Sequence, residues 1–129
     1  MGKQTKTILV VDDDDDQRDI LAENMNLLGY EVVTANDGQD ALNRLEGRAD
    51  FDLIITDIMM PEVDGFGLIE AIRNNTQFNH IPILVISAVG DNTSTAYCLA
   101  LGADGILMKP FNHQLLKSTI VNFLGGEKK

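Results

Sequence analysis

The stretch "ILVVDDDDDQRDIL", residues 8–21, drives an apolar run straight into five consecutive aspartates and then resumes with apolar residues at helical spacing. A short continuous run rich in β-branched residues reads as a strand covered on both faces. The acids that end it repel one another, so their crowding needs a reason. Three readings satisfy the stretch by itself: a solvated acidic turn, a calcium loop, or an acidic pocket that takes up a cation.

The same order recurs along the chain. Candidate strands are "TILVV" (7–11), "EVVTA" (31–35), "DLIIT" (52–56), "IPILVIS" (81–87) and "DGILMK" (104–109). Helical patterns separate and follow them. The first carries Ile20, Leu21, Asn24, Leu27 and Leu28, with Gly29 as its stop; the second, Ala41, Leu42 and Leu45, ending at Gly47; the third, Phe66, Leu68, Ile69 and Ile72. The fourth has a sparse stripe of Tyr97, Cys98 and Leu101, and the fifth carries Leu115, Leu116, Thr119, Ile120 and Phe123. Strand and helix thus alternate five times, and parallel strands need such crossovers. The right-handed crossover rule then favours an α/β, doubly wound (βα)5 three-layer sandwich, and the arrangement taken for it is the flavodoxin-like sheet order 2-1-3-4-5.

At 129 residues the chain reads as a single domain, 1–129, with a core at about 6–124 and a polar tail at 125–129. Its 44% hydrophobic content is that of a globular protein, and no apolar run approaches the roughly 20 residues of a membrane span. The basic start "MGKQTK" meets the aspartates too soon for a secretory signal. A lone Cys98 forms no internal disulfide, in keeping with a cytoplasmic location. A net charge of −10 disfavours direct binding to nucleic acid or acidic lipid and suits a cation or a basic protein partner.

In open parallel sheets ligands gather beyond the carboxyl ends of the strands. Those ends deliver Asp12 and Asp13, then Asp57 within "IITDIMMPEVDG", then Ser87, then Lys109 before Pro110. With the order 2-1-3-4-5, these residues converge on one crevice. Two carboxylates about 4 Å apart repel by roughly 4 kcal/mol at an effective dielectric near 20. One lysine cannot neutralise three of them, whereas a hard divalent cation such as Mg²⁺ can.

These residues resemble the receiver domain of two-component response regulators. The resemblance runs through "TILVVDD", "TDIMMPEVDGFGLIEAIR", "IPILVISA" and "GADGILMKPF", in order and nearly end to end, and the length is that of single-domain, chemotaxis-type members. It implies that Asp57 accepts a phosphoryl group from a histidine kinase or phosphotransfer protein. Asp13, Asp57 and the backbone carbonyl of Met59 would ligate Mg²⁺, with Mn²⁺ as substitute, and Asp12 would hold it through water. Ser87 and Lys109 would contact the phosphoryl oxygens, and the Lys109–Pro110 bond is expected to be cis. Such a domain is a phospho-acceptor that assists its own chemistry rather than an enzyme. As a stand-alone receiver, monomeric or weakly dimeric, it would act on a downstream protein through helix four, strand five and helix five, with donors docking near Gln17, Ile20 and Leu21.

Two positions depart from the family pattern. Three residues before Lys109 the family often has an aromatic residue, and here stands Ile106, so a ring-based switch is in question and coupling would rest on Ser87. Met59 and Val89 would rim the pocket, and neither hydrogen-bonds an incoming water well, so slow loss of phosphate is expected. The alternative is a receiver-like interaction module whose binding ignores phosphate.

Competing motifs are weaker. Asp14, Asp15 and Asp16 suit a helix N-terminus, whose dipole favours acids. A calcium loop from Asp12 to Glu23 has Gln17 where the turn needs glycine. A haloacid-dehalogenase-type phosphatase would want a second acid at Met59. "GFGLIE" lacks the third glycine of a dinucleotide fingerprint, and Ser87 lacks the context of a hydrolase nucleophile. His80 and His113 have no ligand spacing around them, and Cys98, Met108 and Phe111 read as packing.

Overall fold

A computed structural model describes residues 5–48, 50–58, 64–88 and 92–124. The elements follow in strict alternation: β1 (Thr7–Val11), α1 (Asp15–Leu27), β2 (Glu31–Ala35), α2 (Gly38–Gly47), β3 (Leu53–Asp57), α3 (Gly65–Arg73), β4 (Ile83–Ala88), α4 (Asn92–Leu101), β5 (Gly105–Lys109) and α5 (His113–Leu124). All strand pairs are parallel, in the order β2-β1-β3-β4-β5. This is the expected flavodoxin-like arrangement, with the alternation of elements giving the parallel strands and crossovers.

Side chains alternate across a strand, and here the alternation divides the core in two. Ile8, Val10, Leu53, Ile55, Leu84, Ile86 and Leu107 pack with Leu21 and Met25 of α1 and with Leu116 and Ile120 of α5. Leu9, Val11, Ile54, Ile83 and Val85 face the other way, onto α2, α3 and α4 through residues such as Leu45, Leu68, Ile72 and Cys98. All five residues of β1 are buried, which is why its sequence shows no polar alternation.

Aspartates start three of the helices. Asp14, Asp37 and Asp64 are N-caps, each accepting the backbone N–H three residues on, from Gln17, Asp40 and Gly67. At the other end of α1 the chain turns through Gly29 at φ +100°, with Gly29 N–H donating to the Asn26 carbonyl and Tyr30 N–H to that of Met25. Gly102 closes α4 in the same way.

The expected stripes hold in α2 and α3 and differ in part in α1, α4 and α5. Leu21 and Met25 are the buried pair of α1, while Ile20 and Leu27 are 58% and 75% exposed. In α4, Thr95 and Cys98 are buried and Tyr97 turns outward, meeting the Phe66 ring edge-on at 4.9 Å. Leu115 of α5 is likewise exposed. A helix buries only a stripe, and neighbouring apolar positions compete to define it.

Candidate functional site

The alternation that builds the core also aims the strand ends. Asp12 follows Val10 to the α1–α5 side of the sheet, Asp57 follows Ile55, and Lys109 follows Leu107. Ser87 follows Ile83 and Val85 to the opposite side, toward α4. Registers set their heights: Val11 pairs with Thr56, Asp57 with Ile86, and Ala88 with Lys109.

The run of five aspartates divides by role. Asp12 is almost fully buried, and its Oδ1 accepts the Asp14 N–H at 2.9 Å. Its backbone carbonyl accepts from Arg18 Nη1 at 2.9 Å, while Arg18 Nη2 pairs with Asp15 at 2.6 Å. Asp14 caps α1, and Asp15 and Asp16 occupy its first turn. Asp13 alone of the five joins Asp12 and Asp57: one carboxylate oxygen of each lies within 4.8 Å of the others. The segment before the acids is a strand, and neither Asp14 nor Asp16 belongs to this cluster, so no calcium-loop arrangement is present among the described residues.

Asp57 ends β3 with its carboxylate half-buried. Oδ1 accepts the Ile58 N–H at 2.8 Å, and Oδ2 faces Lys109 Nζ at 3.9 Å. The ammonium donates its hydrogen bond elsewhere, to Gln17 Oε1 at 3.0 Å. Burial raises the pKa of Asp57, and the nearby charges of Asp13 and Asp14 add to this, while Lys109 and the Ile58 N–H oppose it. Burial likewise raises the pKa of Asp12, against the hydrogen bond from Asp14. Three acids with oxygen donors at this spacing fit a hard divalent cation, whose opposed ligands stand about 4–5 Å apart.

Asp12, Asp13, Asp57 and Lys109 therefore come together as the sequence led one to expect. Ser87 is buried at the neighbouring strand end, its Oγ directed to the Ala88 carbonyl at 3.4 Å. Met59, with the carbonyl expected to ligate metal, and Val89 lie outside the described residues. Lys109–Pro110 is cis. Ile106 is half-buried against the α2–α3–α4 side of the core.

Two contacts at the site are not legible in the sequence. Gln17 reaches Lys109 across the chain, and only the fold reveals it. Gly65 donates its N–H to the Ile58 carbonyl at 2.7 Å, and a Cβ there would stand 2.6 Å from the Asp57 carbonyl oxygen. The glycine is what lets α3 start against the strand end that bears Asp57.

A doubly wound parallel sheet with three clustered acids and a lysine at its carboxyl edge is the architecture of a receiver domain, a phospho-acceptor rather than a classical enzyme, and the family match bears this out. The chain belongs to the response regulator receiver domain family, whose sequence profile matches residues 8–121. It is 36% identical to the chemotaxis protein CheY1 of Helicobacter pylori over 92% of this chain and 96% of that protein. It is 40% identical to the probable transcriptional regulator ycf27 of Guillardia theta over 88% of this chain and 43% of that protein. The chain thus spans about half the length of the transcriptional regulators that it matches. Its fold superposes on the chemotaxis response regulator CheY4 of Vibrio cholerae with a TM-score of 0.86 at 34% identity, covering 93% of this chain and 99% of that one. Family membership implies a kinase partner. Among the described residues no helix is long and apolar enough to cross a membrane.

Proposed function

We propose that Asp57 is the phospho-acceptor of a two-component switch, charged by a phosphohistidine on a histidine kinase or a phosphotransfer protein. A carboxylate oxygen of Asp57 forms the new P–O bond as the donor's P–N bond breaks, and the electron pair leaves with the imidazole. The observation that carries the reading is the placement of that carboxylate: half-buried, beside two further acids and 3.9 Å from an ammonium. Burial makes the carboxylate a better base and nucleophile, and the charge of Lys109 favours its ionised form.

Asp12, Asp13 and Asp57, with the Met59 carbonyl, would hold Mg²⁺ or Mn²⁺. When bound, the ion neutralises charge on the acids and on the transferring phosphoryl oxygens. Lys109, with its ammonium 3.9 Å from the carboxylate, supplies the second positive charge. The Ser87 hydroxyl donates to a phosphoryl oxygen, and because its strand position faces α4, that bond carries the modification to the α4–β5–α5 surface. A downstream protein reads that surface, in a cytoplasmic setting.

The test is treatment with acetyl phosphate or beryllofluoride, with and without Mg²⁺, read by intact mass and amide NMR. Mg²⁺-dependent modification lost in Asp57→Asn is the expected result. A folded sample that acquires no acyl phosphate from any donor overturns the reading. Modification without any change in partner affinity would instead support a module whose interactions ignore phosphate.

A further inference from the structure

The lysine beside Asp57 has two claimants. Its Nζ lies 3.0 Å from Gln17 Oε1, within hydrogen-bonding distance, and 3.9 Å from Asp57 Oδ2, beyond it. The ammonium is therefore bonded to a neutral amide of α1 and only electrostatically paired with the strand-end acid. Gln17 is exposed on the first turn of α1, and its N–H is fixed by the Asp14 cap, so the amide projects from an anchored backbone. Arg18, the next residue, ties that turn to the Asp12 carbonyl. Gln17 and Lys109 also share the wall of a groove of about 300 Å³ with Ile20, Leu21, Pro110 and Phe111.

From this geometry we infer that Gln17 is a positioning residue that holds the Lys109 ammonium off Asp57 and so leaves the carboxylate available to a divalent cation. The inference rests on the reading of the acids as a Mg²⁺ site. Its physical basis is competition. A lysine closing from 3.9 Å to direct contact sets a positive charge on the carboxylate that a cation would share, and repels that cation. The amide oxygen gives the ammonium a hydrogen-bond partner other than the carboxylate, at 3.0 Å, while leaving it 3.9 Å from Asp57.

Titration of Mg²⁺ alone, followed by the amide shifts of residues 57 and 65, tests the assignment in wild type, Gln17→Met, Lys109→Met and the double variant. Methionine keeps the length and helix preference of glutamine and removes the acceptor. Gln17→Met is expected to weaken Mg²⁺ binding about 3–10-fold, the effect of a unit charge moving about 1 Å closer at an effective dielectric near 20. In the Lys109→Met background the same change should alter affinity less than about 2-fold, because the competitor is gone. Gln17→Glu restores an oxygen acceptor and is expected to bind Mg²⁺ at least as tightly as wild type. Equal affinities in wild type and Gln17→Met overturn the inference, and so does an equal loss in both lysine backgrounds. If wild type binds Mg²⁺ and is phosphorylated while Gln17→Met matches it, only the positioning role fails. If wild type binds no Mg²⁺, the metal site and this role fall together.

Discussion

Gly65 shows how tightly one position can be fixed by a neighbour's function. A methyl group there would meet the Asp57 carbonyl oxygen at 2.6 Å and the Ile58 Cα at 2.7 Å, both backbone atoms that cannot swing aside. Gly65→Ala is therefore expected to cost about 1–3 kcal/mol in denaturant unfolding and to slow acetyl-phosphate labelling of Asp57. Unchanged labelling would mean that the strand end does not depend on this contact. Asp12 makes the opposite trade, since its burial raises its pKa. A carboxyl whose folded pKa exceeds its unfolded one binds protons more tightly when folded, so stability falls as pH rises through that interval. Asp12→Asn keeps the acceptor for the Asp14 N–H and removes the charge. In chelator at pH 7.5 its Tm should exceed that of wild type by about 3–6 °C, equivalent to ~1 kcal/mol, with the gap closing as pH drops into the ordinary carboxylate range. A gap that persists in acid would show that charge is not its origin.

Strands and helices differed in how openly the sequence declared them. The strands stood out because burial on both faces leaves a continuous apolar run, as in β1 with all five residues buried. Their ends were legible for the same reason: a charged residue terminating such a run must face the rim. The stripe of α1 is ambiguous in the sequence because Ile20, Leu21, Met25, Leu27 and Leu28 offer several overlapping faces, and only packing selects Leu21 and Met25. Contacts between distant elements left no trace at all. Gln17 meets Lys109 from 92 positions away. Arg73 at the end of α3 donates to the carbonyls of Gly102, Asn79 and Ile81 at 2.8–3.0 Å and pairs with Asp104 at 2.6 Å. Asp104 in turn accepts the Ile83 N–H. This clamp joins α3 to the entries of β4 and β5, at the end of the sheet opposite the acids. Arg73→Met should destabilise by about 2–3 kcal/mol, because it leaves acceptors unmet, while shifting Mg²⁺ affinity less than about 2-fold. A change in metal affinity larger than that would mean that the two ends of the sheet are coupled.

Charge governs the molecule as a whole in two separable ways. A net charge of −10 on 129 residues makes the folded state repel itself, and any salt relieves this by screening. The acids at the carboxyl edge add a local repulsion, which screening relieves poorly because Asp12 is almost fully buried and Asp57 is half-buried. A cation held there would act instead, stabilising the fold by mass action: at ten times its dissociation constant the gain is about 1.4 kcal/mol. NaCl and MgCl2 at matched ionic strength distinguish the two effects. NaCl should raise the Tm of wild type and of Asp13→Asn alike, since Asp13 is exposed and its loss changes the net charge only slightly. MgCl2 should add a further increment of roughly 4–8 °C in wild type and little in Asp13→Asn, because one of the three clustered donors has lost its charge. The increment should vanish on adding chelator. Equal gains from Mg²⁺ in both proteins would assign the whole effect to screening and remove the acids' claim to a metal.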